Sequence, residues 1–494
     1  MRAFFRWLRG LFGGGGGAGT SKLSNIDHVV VLMLENRSFD NMLGKLYPKS
    51  ATFDGLSGSE SNLDLNGQPV PVNNTPGTAP ATMAIPTPDP GELWIDMNTQ
   101  LYGAAVPPNP LPVPAPMSGF VRSYVTQTDE PTQDYVAKNI MHYFTPDQVP
   151  VISQLAKQFA VSDRWFASAP CQTWPNRFFV HTATAHGYEN NMPPHFPYEM
   201  ETIFNQLDVA GAPKGWKVYF HDIPQSLTLA QLWPHPLHFR FYSEFSRDAK
   251  HGTLPSYSFI EPRYFSDIGL PNDEHPPHDV TKGEQLIADI YNILRASPTW
   301  TKTLLIITYD EHGGCYDHVA PGPAVPPDPM ATAPFNFDRY GVRVPAVIVS
   351  PWVKQGTVLR ASGPTPFDHT SIIATLRKRF GMARPLTHRD AVAPDLEVAL
   401  SLSAPTNLGP ERIEPLMLDE SPQRLAAARA VPPNDLQKSL LVLAANLPEG
   451  SHPAAVAQAR TFALARAAPP EAHESVGHAV AFIKQRMDRY FNNP

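Results

Sequence analysis

Apolar residues along this chain fall into short, dense blocks separated by stretches with helical spacing. The first block, residues 28–34, is a continuous apolar run of strand length. Such a run suits a strand covered on both faces of a parallel sheet. Further strands are expected over 159–165, 216–220, 257–260, 302–310 and 344–350, the last two being the clearest. Amphipathic spacing predicts helices over 151–159, 283–295 and 370–380. Strands alternating with helices predict an α/β fold with a mainly parallel sheet flanked by helices, in which function gathers at the C-terminal strand ends. After about residue 383 the strand runs stop. Ala-rich helical segments over 436–447, 454–467 and 474–491 predict a helical C-terminal region. Residues 47–117 are dense in Pro, Asn, Gly and Ser and read as a long loop insertion wrapping a site. The expected division is a tail over 1–22, an α/β domain over 23–383 and the helical region over 384–494.

Composition narrows this picture. A chain of 494 residues with 42% hydrophobic and 17% charged positions has the material for a large core. A formal charge of −7 argues against a broad basic surface, so no nucleic-acid partner is expected. The 55 prolines imply long ordered loops, and the 2 cysteines, Cys171 and Cys315, cannot form a disulfide framework. No apolar run is long enough to span a bilayer. In residues 1–12 the aromatic and aliphatic positions Phe4, Phe5, Trp7, Leu8, Leu11 and Phe12 are mixed with Arg2, Arg6 and Arg9. Arg6 and Arg9 interrupt the apolar core that a cleavable signal peptide needs. The segment reads either as a short helix touching a membrane surface or as a frayed tail before the Gly-rich stretch.

The candidate chemistry lies where the core runs end. Glu35 and Asn36 follow the first strand, and Asp310 and Glu311, with His312 next, follow the strand over 302–310. Carboxylates from two strands meeting over one hydroxyl are what a hard divalent cation requires. A hydroxyl is supplied by Thr173 in Thr173-Trp-Pro-Asn-Arg177, where Pro175 suits the first turn of a helix. Free amides of that turn favour a bound anion, and Arg177 could add a forked donor. Alone, the motif reads equally well as an ordinary loop-to-helix cap. His275 and His278 sit in a proline-bounded loop, and the prolines restrict His275 as a transition-state contact or general acid requires. Asp317 and His318 follow the 302–310 strand, and His369 opens the helix over 370–380.

With the motifs in 26–40, Thr173 to Arg177, Asp273-Glu-His-Pro-Pro277, 308–319, 344–351 and 367–373 in this order, the chain resembles the bacterial phosphoesterase family. That family contains phospholipases C and a branch of acid phosphatases, and it shares the core of the alkaline phosphatase superfamily. The resemblance covers about 24–380. It implies one or more divalent metal ions held by Glu35, Asn36, Asp310 and Glu311. It also implies Thr173 as nucleophile, with Asn36, Arg177 and His275 at the phosphoryl group. His278, His312, Asp317, His318 and His369 are carried as supporting or substrate contacts. Threonine cannot be oxidised to the formylglycine of sulfatases, which use a related Cys-x-Pro-x-Arg motif. Threonine, rather than the serine usual in the acid phosphatases, tilts the expectation toward phosphodiesters of phospholipids. A phosphomonoesterase is the alternative, and a non-catalytic binding protein with the same fold is a third reading. Relatives commonly carry an export signal, and the phospholipases extra C-terminal β domains. Neither is read in this sequence.

Overall fold

The computed structural model describes residues 21–127, 135–191, 196–329, 335–461 and 466–492. The 1–12 segment therefore lies outside the described residues. Eight strands form one sheet: β1 (His28–Leu34), β2 (Ala160–Ser162), β3 (Trp216–Phe220), β4 (Phe239–Phe241), β5 (Tyr257–Glu261), β6 (Thr303–Tyr309), β7 (Ala346–Val349) and β8 (Thr357–Val358). Their spatial order is β8-β2-β7-β6-β1-β5-β3-β4. β1 and β6 are buried along their whole length, as continuous apolar runs in a two-faced sheet must be. The sheet is mixed but mostly parallel, so the expected α/β class holds.

β7 runs antiparallel to both β6 and β2. Among the described residues no helix lies between β6 and β7, and without a crossover the chain returns in the opposite direction. The run expected over 159–165 divides in two. β2 ends at Ser162, and Trp165–Phe166 pairs with Phe367–Asp368 in a separate ladder. At the break, the buried Asp163 carboxylate receives the Arg360 guanidinium at 2.6 and 2.9 Å and the Asp54 amide at 2.8 Å. Those three donors hold the chain in a bend that a continuous strand would not allow.

Helices α1 (Phe39–Leu43), α2 (Trp94–Tyr102), α3 (Pro150–Gln158), α4 (Thr173–Thr182), α5 (Val280–Arg295) and α6 (Thr370–Phe380) accompany the sheet. The C-terminal region is helical, with α7 (Pro422–Ala430), α8 (Asp435–Asn446), α9 (Pro453–Thr461) and α10 (Val476–Asn492). The insertion over 47–117 is more ordered than a loop. It carries the hairpin Ser61–Leu63 with Pro69–Pro71, and α2, whose Leu101 packs with Phe120, Val121 and Tyr124 in an apolar cluster separate from the main core. Proline and polar residues dominate its sequence, so these few apolar anchors carry no periodic signal of their own.

A buried charge network ties the insertion to the sheet. Arg343 bonds Asp40 at 3.0 Å and Asp317 at 2.9 Å, while His318 lies 2.6 Å from Asp40 and 3.1 Å from Asp54 of the insertion. Burial lowers the His318 pKa, but the bonds to Asp40 and Asp54 outweigh it and raise the imidazole to about 9. Because the folded value exceeds the ordinary 6.5, the stabilisation is fully present below pH 6.5 and is lost as pH rises through about 9. The urea midpoint of the wild type is therefore expected to fall between pH 6.5 and 9, and that slope is expected to flatten in His318→Gln. Equal slopes in the two proteins would remove His318 as the titrating group.

Candidate active site

β1 and β6 are parallel neighbours in register, with Leu34 opposite Tyr309. Glu35-Asn36 and Asp310-Glu311 consequently leave the sheet at the same level. The Asp310 amide donates to Leu34 O at 3.2 Å, and the Asn36 amide donates to the Asp310 carboxylate at 3.0 Å, so the two strand ends are stitched together. Asn36 adopts a left-handed φ of 58°. A side chain at Gly313, itself at φ 58°, would collide with the backbone and Cβ of Asn36, which is why the turn after His312 needs glycine.

α4 starts at Thr173 itself, one residue earlier than a cap position would put it, with Gln172 as its N-cap. Asn176 fixes the preceding turn: its Oδ1 accepts the Ala169 amide at 3.0 Å and its Nδ2 donates to Ala169 O at 3.1 Å and Cys171 O at 2.7 Å. Thr173 Oγ1 then lies 3.4 Å from both Glu35 Oε2 and Asn36 Oδ1, and all three residues are fully buried. One of the helix-start amides is already used, since Trp174 N donates to Asn191 Oδ1 at 2.8 Å.

Arg177 points at carboxylates. Its Nη2 donates to Glu35 Oε1 at 2.7 Å and its Nε to Asp310 Oδ2 at 3.2 Å, leaving Nη1 buried without a partner among the described residues. Gln225 Nε2 also donates to Glu35 Oε1 at 2.5 Å, and the amides of Gln225 and Ser226 are held by Glu261 at 2.6 and 3.0 Å. Burial pushes the Glu35 carboxyl well above its ordinary value, Arg177 pulls it down and Asp310 pushes it up again. Glu311 is raised by burial and by Asp310. One oxygen of Glu311 accepts the Gly313 amide at 2.8 Å, while Oε1 is buried with no partner among the described residues. Glu35 Oε2, Asn36 Oδ1 and Thr173 Oγ1 meet with hydrogen-bonding capacity to spare, and they are oxygen donors of the type a hard divalent cation takes; Glu311 Oε1 is a further oxygen without a partner among the described residues. Asp310 is more committed, with Oδ1 receiving the amides of Asn36 and Glu311 and Oδ2 receiving Arg177.

His275 reaches the site from the loop after β5, anchored because the Glu35 amide donates to Asp273 O at 2.8 Å. Its Nδ1 lies 2.7 Å from Pro276 O, which can only accept, so Nδ1 carries the proton and Nε2 a lone pair. Burial lowers the ring to about 4, leaving it neutral near pH 7. In this state Nε2 can accept a proton or bind a cation.

The remaining histidines support the frame. His369 Nε2 lies 2.6 Å from Asp310 O and its Nδ1 accepts the Trp165 indole N–H at 3.3 Å. His312 bonds Gln100 of α2 at 2.7 Å and lies 3.2 Å from Glu311. His278 pairs with Asp273 at 2.7 Å. Asp317 and His318 belong to the Arg343 network, because the left-handed pair Gly313-Gly314 reverses the chain after His312. Cys171 and Cys315 are buried free thiols.

Sequence reasoning passed over Asp89, Glu92, Asn176 and Gln225. Glu92 approaches from the insertion: it accepts a hydrogen bond from Asn36 Nδ2 and lies 3.6 Å from His275 Nε2. Asp89 is 3.7 Å from His275 Nδ1. The signal was weak: two carboxylates in a Pro/Gly-rich stretch, Pro88-Asp-Pro-Gly-Glu92.

A mostly parallel α/β sheet with this polar site at its central strand ends belongs to a hydrolase acting on phosphoester bonds. The chain is a member of the Phosphoesterase family, which it matches over residues 26–383. It is 41% identical over 395 residues to non-specific phospholipase C6 of Arabidopsis thaliana, covering 76% of this chain and 72% of that one. Non-specific phospholipase C1 of the same plant is 39% identical over 421 residues, covering 80% and 75%. Phospholipase C B of Mycobacterium tuberculosis is 28% identical over 451 residues, covering 80% and 81%. Among solved structures, a protein in the alkaline phosphatase superfamily from Vibrio parahaemolyticus is similar over 50% of this chain and 69% of that one. Its identity is 12% and its TM-score 0.30, a likeness too loose to add weight.

Proposed function

We propose that this protein is a phospholipase C that cleaves the phosphodiester between diacylglycerol and the headgroup, with Thr173 as a covalent nucleophile. The carrying observation is the placement of Thr173 Oγ1 at 3.4 Å from both Glu35 Oε2 and Asn36 Oδ1 at the start of α4. The phospholipase C relatives supply the substrate class.

In this reading Thr173 Oγ attacks phosphorus and its proton passes to a solvent water. The bond from phosphorus to the glycerol oxygen breaks, and diacylglycerol leaves with that electron pair and a proton from water. Water then attacks the phosphothreonine, the bond to Thr173 breaks, the threonine oxygen takes a proton released by the attacking water, and the headgroup departs as a phosphomonoester. Arg177 Nη1, a buried donor with no partner among the described residues, would serve the phosphoryl oxygens. A divalent cation held by Glu35, Asn36 and Glu311 would lower the hydroxyl pKa and neutralise developing charge.

Phosphatidylcholine in vesicles and p-nitrophenyl phosphate, compared on the same metal-supplemented protein, test the substrate class. Diacylglycerol and phosphocholine are expected as products, with kcat/KM for the diester at least about 10-fold above that for the monoester, a difference of about 1.4 kcal/mol in transition-state binding. A preference for the monoester would overturn the phospholipase reading in favour of a phosphatase.

A further inference from the structure

We propose that Asp89, Glu92 and His275 form a second divalent-cation site, built by the insertion on the side of Asn36 that faces away from Thr173. The two faces of the Asn36 amide separate the sites: Oδ1 points to Thr173, and Nδ2 donates to Glu92. A ring nitrogen of His275 and one carboxylate oxygen each from Asp89 and Glu92 lie within 4.8 Å of one another.

The independent observation is the unpartnered ring nitrogen. His275 is 1% exposed, Nδ1 is spent on Pro276 O, and Nε2 is buried with no hydrogen-bond partner among the described residues. That lone pair faces a Glu92 oxygen at 3.6 Å. That oxygen, Oε1, accepts the Asn36 side-chain amide and keeps a further lone pair that a cation could share with Nε2. A proton would draw them to within hydrogen-bond distance, below about 3.2 Å. A cation would not: ligands about 2.1 Å from a tetrahedral metal stand about 3.4 Å apart. The spacing of 3.6 Å leaves room for a bridging metal. Asp89 Oδ1 is likewise buried with no hydrogen-bond partner among the described residues, 3.7 Å from the Nδ1 edge of the ring, and its side chain, 28% exposed, gives an ion a route in from solvent.

The ligand set is one imidazole and two carboxylates, which selects a zinc-type first-row ion over magnesium or calcium. It differs from the oxygen-only set of Glu35, Asn36, Thr173 and Glu311. The Nδ1–H to Pro276 O bond fixes the imidazole tautomer and orients Nε2 as ligating histidines require. The site stands independently of whether Thr173 is the nucleophile.

Equilibrium dialysis of the metal-stripped full chain against zinc at low micromolar concentration tests the proposal. Two zinc ions per chain are expected for wild type, and one for the double variant Asp89→Asn, Glu92→Gln with an unchanged near-UV spectrum. Glu311→Gln is expected to retain the ion that the double variant loses. Wild-type stoichiometry in the double variant would overturn the site. X-ray absorption at the zinc edge of Glu311→Gln probes the same ligands with Asp89, Glu92 and His275 all intact. Imidazole scattering in the bound zinc is expected, and an oxygen-only shell would sink the proposal.

Discussion

Replacing Thr173 with alanine is expected to lower phospholipid turnover by about 10⁴-fold or more, because removing a covalent nucleophile leaves only binding and charge stabilisation. The fold is expected to survive. Thr173 is fully buried, but its hydroxyl makes only the two 3.4 Å contacts to Glu35 and Asn36, so the stability loss should be about 1 kcal/mol. The helix start does not depend on that hydroxyl either, since Asn176 pins the turn before it and Asn191 receives the Trp174 amide. Thr173→Ser keeps an attacking oxygen and should retain most activity. Steady-state kinetics on vesicles and acid-quenched peptide mapping for phosphothreonine provide the readout. Near-wild-type turnover in Thr173→Ala would remove the nucleophile assignment.

Arg177→Met is expected to destabilise the protein by about 3–5 kcal/mol at pH 7, the range for stripping one partner from a buried ion pair. Here the partners are two carboxylates. Arg177 is 2% exposed and lies between Glu35 and Asp310, both fully buried. Burial lowers the guanidinium pKa, but Glu35 and Asp310 raise it further, so the charge is retained. Without it, Glu35 and Asp310 would repel each other across the strand ends. The deficit should shrink as pH falls toward the ordinary carboxyl value of 4.5, because a neutral Glu35 tolerates burial. Glu35 titrates upward-shifted in the folded state, so its ionisation penalises folding once pH exceeds the unfolded value. Urea denaturation at pH 5 and pH 7 measures both effects. A change within about 1 kcal/mol at pH 7 would mean that water or another donor replaces the guanidinium. Arg177→Lys should fall between the two, since an ammonium cannot fork to two carboxylates.

Much of the frame was legible from residue patterns. The runs read over 28–34 and 302–310 became the central strands His28–Leu34 and Thr303–Tyr309, and Glu35 and Asp310 could be placed at strand ends because the apolar residues stop there. Ala-rich periodicity made α8, α9 and α10 legible but not α7, and residues 462–465 of the run expected over 454–467 lie outside the described residues. The break at Asp163 was not legible, because it is made by Arg360, a residue 197 positions away. The direction of β7 was equally hidden, since an apolar run has the same composition whichever way it runs.

At the site, sequence determined which residue types stand at the strand ends and at the helix start, and with them the family. Those assignments rest on local rules: buried strands are apolar, and proline and small polar residues begin helices. Tertiary structure alone decided which charges meet. It turned Arg177 onto Glu35 and Asp310, fixed the His275 proton on Nδ1 by way of Pro276, and sent Asp317 and His318 to Arg343. It also brought Glu92, from an insertion with no periodic signal, against Asn36. Coulomb and hydrogen-bond energies depend on separations of a few ångströms between residues tens or hundreds of positions apart, and no local pattern encodes those separations.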